Sequence, residues 1–269
     1  MQKIKLWQEG ETPLFRPEYG QEEPYIVPYL LKNGCTDNAC TLVIPGGGYG
    51  CVCTDHEGEK ICEFLNEQGI SAFYLMYRVH PYCHPCMELD AKRAIRYIRF
   101  HAADYGIDPG KIGVMGFSAG GHLTDMVSLR FDYGQADGDE IDRVSCRPDT
   151  AAPCYAVSSL DPAITHMGTR VNLLGDCASP EIAARFSSEN IIPEDAPPFF
   201  LFHTAEDTCV NPECSLRFAS ALIEHHIPVE LHIFPFGAHG IGLGTQTPLA
   251  DCWPGLYVRW LKKMYEEKK

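Results

Sequence analysis

The chain has 269 residues, with 22 Lys+Arg against 36 Asp+Glu and a formal net charge of −14. At 45% hydrophobic and 22% charged residues it has the make-up of a globular protein, which excludes a disordered chain, and its length suits one large domain or two small ones. The acidic balance argues against nucleic acid or anionic lipid as a partner, because phosphates are repelled over most of the surface; a small neutral substrate is unaffected.

Residues 1–10 hold two lysines but no apolar run of the roughly 7–15 residues that a signal peptide needs. No uninterrupted apolar stretch approaches the roughly 18 residues of a membrane span. A cytoplasmic protein without membrane contact is expected. Thirteen cysteines in a chain of this size without an export signal read mostly as small buried hydrophobes kept reduced, not as a disulfide framework.

Short apolar runs alternate with amphipathic segments along the chain. The runs at 41–45, 71–77, 111–117, 149–157, 198–203 and 229–234 predict strands. Helical spacing predicts helices over 57–68, 89–105, 119–130, 212–225 and 253–265; in the second of these Ala91, Ala94, Ile95 and Ile98 recur three and four residues apart. Strands separated by helices imply βαβ units, hence an α/β fold with a mostly parallel central sheet and helices on both faces. The polar stretch 131–147 reads as a surface excursion. Residues 160–197 lack a clear strand and are expected to form an insertion or partial cap over the carboxyl edge of the sheet. No linker divides the chain, so a single domain over 1–269 is expected.

Gly116-Phe117-Ser118-Ala119-Gly120 directly follows one apolar run and precedes a helical segment. This is the strand–turn–helix setting of a nucleophile elbow: a sharp turn strains the serine backbone, flanking side chains would clash, and the helix N-terminus aims backbone donors and a positive dipole end at the hydroxyl. Earlier, Pro45-Gly46-Gly47-Gly48-Tyr49-Gly50 follows another strand. Neither phosphate-loop pattern is completed there, so the bare N–H groups of Gly47 and Gly48, with that of Ala119, are the candidate oxyanion donors.

A serine hydroxyl needs a base, and the base an orienting carboxylate. In a fold of this class they follow the serine in the order acid, then histidine, each on a loop after a later strand. The loop Thr204-Ala205-Glu206-Asp207 offers Asp207 as the acid with Glu206 as its competitor, and Gly237-Ala238-His239-Gly240 offers His239 as the base. His122 is expected to bond a neighbouring loop and His203 to support the acid loop. The pairs Cys51/Cys53 and Cys83/Cys86, with His80 and His84, contain soft ligands, but prolines interrupt the second segment, and a loop of small polarizable residues is expected there instead of a metal or redox site.

With these residues in place the chain resembles the α/β-hydrolase superfamily, specifically its esterase/lipase branch of acetylxylan-esterase-like proteins. The matching stretches run nearly end to end: Ile4–Trp7, Pro45–Tyr49, Tyr77-Arg78, Asp90–Arg96, Gly116–His122, Arg147–Asp149, Leu173–Gly175, His203–Asp207 and Phe234–Gly240. The resemblance implies a serine carboxylesterase without a cofactor, acting on acetyl groups of plant-derived sugars or oligosaccharides, with Ser118 as nucleophile, His239 as base then acid, and Asp207 as orienting carboxylate. The chain departs from the hormone-sensitive-lipase-like branch in carrying Pro45 where that branch has histidine.

The absence of a long apolar insertion points to short acyl groups. Tyr49 and Trp253 are candidates to stack on sugar rings, with a place in the core as the alternative. Two rival readings are a peptidase or amidase related to prolyl-oligopeptidase catalytic domains, disfavoured because only about 40 residues precede the first predicted strand, and a non-catalytic binding protein, disfavoured because no triad member is missing. A homo-oligomer is left open.

Overall fold

A computed structural model describes residues 2–32 and 34–266. The apolar runs become the last six strands of an eight-stranded sheet among the described residues: β1 (Ile4–Lys5), β2 (Tyr25–Tyr29), β3 (Asn38–Ile44), β4 (Ser71–Met76), β5 (Ile107–Phe117), β6 (Thr150–Cys154), β7 (Phe199–Thr204) and β8 (Val229–Phe234). Their order across the sheet is β1-β2-β4-β3-β5-β6-β7-β8. The pairings β1–β2 and β2–β4 are antiparallel and every later one is parallel.

Among the described residues, α1 (Lys60–Glu67), α2 (Cys86–Phe100), α3 (Ala119–Leu129), α4 (Met167–Leu174), α5 (Pro180–Ala184) and α6 (Glu213–Glu224) lie between strands, and α7 (Trp253–Glu266) follows the last one. Side chains alternate across each buried strand, which divides the core in two. Leu42, Ile44, Val114, Phe199 and Leu201 face α2, α3 and α6 through Met87, Ile95, Leu123 and Phe218. Val43, Met115, Phe117, Phe200 and Phe202 face α1 and α7 through Ile61, Leu65, Trp253, Tyr257 and Leu261. Both faces are therefore covered by helices, as an all-parallel sheet centre requires.

The differences from the sequence-based expectation have local causes. Among the described residues β1 is a two-residue edge strand that pairs only with Tyr25 and Ile26 of β2, so Pro28 sits where β2 has no partner on that side, and both strands pair antiparallel outside the βαβ pattern. The helix expected over 89–105 runs from Cys86 to Phe100, because the chain turns through Gly106 at φ +65° and extends again from Ile107. Six of the thirteen cysteines are buried and six exposed, so burial does not describe most of them; no disulfide joins the described residues. Among those residues no helix is long and apolar enough to cross a membrane.

Ion pairs fix two of the connecting segments. Arg78, just past β4, is fully buried with Asp90 of α2, its guanidinium 2.6 Å from Asp90 and reaching Pro13 O at the same distance. Burial pushes the Asp90 carboxyl up to about 6, against the pull of Arg78. The excursion 131–147 is held to α2 by Arg93 with Asp139 and Asp142 and by Arg96 with Asp132.

Candidate active site

β5 ends at Phe117 and α3 begins at Ala119, leaving Ser118 alone to reverse the chain. Its backbone sits at φ +54°, ψ −120°, a region that a non-glycine residue occupies at a cost of about 1–3 kcal/mol. Hydrogen bonds on both sides hold it there: Ser118 N–H donates to Cys154 O, and Ser118 O accepts from the N–H groups of His122 and Val157. The glycines are dictated by close approach. A Cβ on Gly116 would lie 2.2 Å from Gly120 O, and one on Gly120 would lie 2.1 Å from Ile44 O. Ser118 is 7% exposed, its hydroxyl lifted above the sheet edge.

The loops after β7 and β8 bring Asp207 and His239 to that hydroxyl. Ser118 Oγ donates to His239 Nε2 at 2.8 Å, and His239 Nδ1 donates to Asp207 Oδ2 at 2.6 Å across 32 residues of chain. Asp207 Oδ1 accepts from the N–H groups of Cys209 and Val210, both at 2.9 Å. His203, at the end of β7, donates from Nε2 to both Asp207 Oδ2 and Val210 O; that carbonyl can only accept, so Nε2 carries the proton, while Nδ1 accepts from Ser215 Oγ. Burial opposes ionisation of Asp207, yet the bonds from His203, His239 and Val210 outweigh it and hold the carboxyl well below the usual carboxylate range. Glu206 instead accepts the Gly237 N–H at 3.2 Å and makes no hydrogen bond with His239.

The glycine turn lies against the elbow. Gly47 is at φ +129° and Gly48 at φ +63°, and a Cβ on Gly47 would fall 2.2 Å from Cys51 O. Among the described residues, the N–H groups of Gly47, Gly48 and Ala119 take no part in the backbone hydrogen bonds, whereas Gly46 N–H is taken by Glu57 Oε2 at 2.8 Å. Glu57 Oε1 also accepts the Tyr155 hydroxyl at 2.8 Å. Tyr155 in turn accepts the Gly242 N–H and lays its ring against His239, with centroids 5.1 Å apart. One buried carboxylate thus braces the glycine turn and the histidine loop together. No sequence motif singled out Glu57 or Tyr155.

The two proposed sugar platforms are corrected by burial. Tyr49 is 0% exposed; its hydroxyl donates to His122 Nδ1 at 2.8 Å while His122 Nε2 donates to Phe186 O. Burial lowers His122 to about 4, so it stays neutral in this bridge. Trp253 is 1% exposed, stacks on Phe202 with centroids 4.3 Å apart and donates from Nε1 to Gly242 O. Both large rings fill the core beneath the site and neither is open to a substrate. Cys51 and Cys53 follow the glycine turn and Cys83 and Cys86 lead into α2; among the described residues no group of three or more His, Cys, Asp or Glu side chains is arranged to hold a metal.

The segment 160–197 carries α4 and α5 and packs beside the glycine turn. Asn172 donates to Gly48 O at 2.8 Å, and His84 N–H donates to Leu173 O. His166 caps α4, with Nδ1 bonded to the Thr169 N–H and hydroxyl.

The BD-FAE family profile matches residues 29–222, which include Ser118, Asp207 and the glycine turn. The chain belongs to the BD-FAE family. A crystal structure of an acetyl ester-xyloside bifunctional hydrolase from Caldicellulosiruptor lactoaceticus superposes with a TM-score of 0.94 at 45% identity, over 98% of this chain and 96% of that one. MGS-M1, an alpha/beta hydrolase from a Medee basin deep-sea metagenome library, superposes with a TM-score of 0.71 at 25% identity, over 98% and 97%. This BD-FAE chain therefore has the α/β-hydrolase fold. It is also 37% identical to endo-1,4-beta-xylanase B of Butyrivibrio fibrisolvens, over 88% of this chain and 37% of that protein. With an acetylxylan esterase of Xylanibacter ruminicola it shares 29% identity over 84% of this chain and 46% of that one. The chain spans less than half the length of these two curated relatives.

Proposed function

We propose that this protein is a serine esterase that removes short acyl groups, acetyl foremost, from acylated sugars such as xylo-oligosaccharides. The observation that carries the reading is the line Ser118 Oγ–His239 Nε2 at 2.8 Å and His239 Nδ1–Asp207 Oδ2 at 2.6 Å beside three backbone N–H groups without a backbone partner. The proton on Nδ1 is fixed by the ionised Asp207, so Nε2 is the basic nitrogen and faces the hydroxyl. Ser118 Oγ attacks the ester carbonyl as His239 takes its proton, and the carbonyl oxygen becomes an oxyanion held by Gly47, Gly48 and Ala119 N–H. Collapse releases the alcohol with the proton from His239 and leaves acyl-Ser118. Water, deprotonated by His239, then attacks the acyl-enzyme, releases the acid and restores Ser118.

Two further points support the sugar-ester reading. Proteins similar over most of this chain are named for xylan chemistry or acetyl ester-xyloside hydrolysis. The insertion beside the site places His166, Thr169 and Asn172 around Gly48, a polar wall unlike the apolar lid that long acyl chains favour.

The test is kcat/KM on p-nitrophenyl acetate, butyrate and octanoate, with acetate release from acetylated xylo-oligosaccharide alongside. A steep fall with acyl length together with acetate release is expected. A preference for octanoate, or no acetate from the sugar ester, overturns the acetyl-sugar reading; no hydrolysis of any ester overturns the esterase reading.

A further inference from the structure

We infer that His166, contributed by the insertion and not by the sheet, is a specificity-determining residue that donates a hydrogen bond from Nε2 to an oxygen of the alcohol portion of the substrate. This rests on the sugar-ester reading above and deepens it by assigning the contact that recognises a hydroxylated leaving group.

The tautomer follows from the cap. His166 Nδ1 lies 3.2 Å from the Thr169 backbone N, whose hydrogen can only be donated, so Nδ1 is the acceptor. The Thr169 hydroxyl, 2.8 Å away, donates to the same nitrogen. The proton of the neutral ring therefore sits on Nε2, and among the described residues no hydrogen bond engages it.

The position follows from the neighbours. The His166 Cε1 atom lies 3.7 Å from where a Cβ on Gly48 would sit, so the ring edge borders the glycine turn. The charges of His239 and Asp207 both act on the ring. His239 must return its proton to the departing oxygen, so the alcohol half of the ester lies on the His239 side of Ser118. A donor that borders Gly48 and is coupled to His239 is assigned to that half and not to the acyl group. Burial, and then His239, lower the His166 pKa, which keeps a second cation away from His239 when it becomes an imidazolium. Asn172 ties the same helix to Gly48 O, so the donor is held at a fixed distance from the oxyanion turn.

Two variants separate the capping and binding roles. His166→Asn keeps a side-chain acceptor for the α4 N-terminus and removes the distant N–H. His166→Gln places an amide N–H near the former Nε2. The readout is kcat/KM on acetylated xylo-oligosaccharide relative to p-nitrophenyl acetate, whose leaving group offers no sugar oxygen. His166→Asn is expected to lower the sugar ester about three- to tenfold, the size of one neutral hydrogen bond, and leave the aryl ester within about twofold. His166→Gln is expected to recover most of the ratio. Equal loss on both esters, or no loss on either, overturns the inference. If the wild type cleaves the aryl ester and ignores the sugar ester, the sugar reading and this inference fall together while the esterase reading stands; if Ser118→Ala retains the aryl activity, it is the assignment of Ser118 as nucleophile that fails.

Discussion

The carboxylate of Glu57 accepts the Gly46 N–H at 2.8 Å, so the glycine turn beside Ser118 is tied to a side chain on the segment leading into α1. The same carboxylate accepts the Tyr155 hydroxyl, and Tyr155 supports the His239 loop. Removing Glu57 leaves two buried donors unpaired and frees both loops at once. Glu57→Ala is expected to lower stability by about 1–3 kcal/mol and kcat by about tenfold to a hundredfold. Urea unfolding and p-nitrophenyl acetate kinetics check this. A stable variant with wild-type kcat contradicts the bracing role.

The acid loop offers a sharper comparison. Asp207 Oδ2 bonds His239 Nδ1, while Glu206 bonds Gly237 N–H. Asp207→Asn cannot hold the productive tautomer and is expected to lower kcat by on the order of 10⁴-fold. Glu206→Gln preserves an acceptor for Gly237 and is expected to stay within about threefold. Similar kinetics for the two variants count against Asp207 as the orienting group.

Gly47→Ala probes the proposed oxyanion donors. At φ +129°, with Cys51 O 2.2 Å from the new Cβ, the turn must shift to accept a methyl group. Misplacing its N–H is expected to lower kcat about a hundredfold or more, and the strained backbone to lower stability by about 1 kcal/mol or more. Unchanged kcat in a folded variant removes Gly47 from the oxyanion site.

A pH effect on stability arises away from the elbow. Asp125 on α3 is completely buried, with Ser188 Oγ donating to Oδ2 at 2.9 Å and Oδ1 without a hydrogen-bond partner among the described residues. Burial pushes its carboxyl up to about 8, helped by Glu189 and opposed by the neighbouring hydroxyls of Ser158 and Ser188. Because the folded pKa lies above the unfolded one, the native state holds the proton more tightly. Its contribution is complete below about pH 4 and declines as pH rises through about 8. Wild type is therefore expected to lose more stability than Asp125→Asn between pH 6 and 9. Denaturant unfolding at the two pH values checks the difference; parallel losses contradict it.

Much of the molecule is legible from the chain because local and global signals agree. The 229–234 strand has the bounds its apolar run predicts, and Ser118, Asp207 and His239 announce themselves as loop residues after parallel strands. Glu57 and His166 do not, since what they meet at the site is distant in sequence: Tyr155 lies 98 residues from Glu57, and His166 borders Gly48. Tyr49 and Trp253 were open to misreading because a large aromatic ring near a site suits stacking and core packing equally well; burial decides for the core. The short helices of 160–197 are set by capping and by contacts such as Asn172–Gly48, which leave no periodic apolar pattern.

The central claim is that Ser118 forms the acyl-enzyme. Its most direct test is to quench the wild-type reaction with p-nitrophenyl acetate in acid during turnover and map the acetyl group by peptide mass spectrometry. The expected result is acetylation of Ser118 within the peptide containing Gly116–Gly120, absent in Ser118→Ala along with ester hydrolysis. Turnover without acetyl at Ser118, or undiminished hydrolysis by Ser118→Ala, contradicts the account.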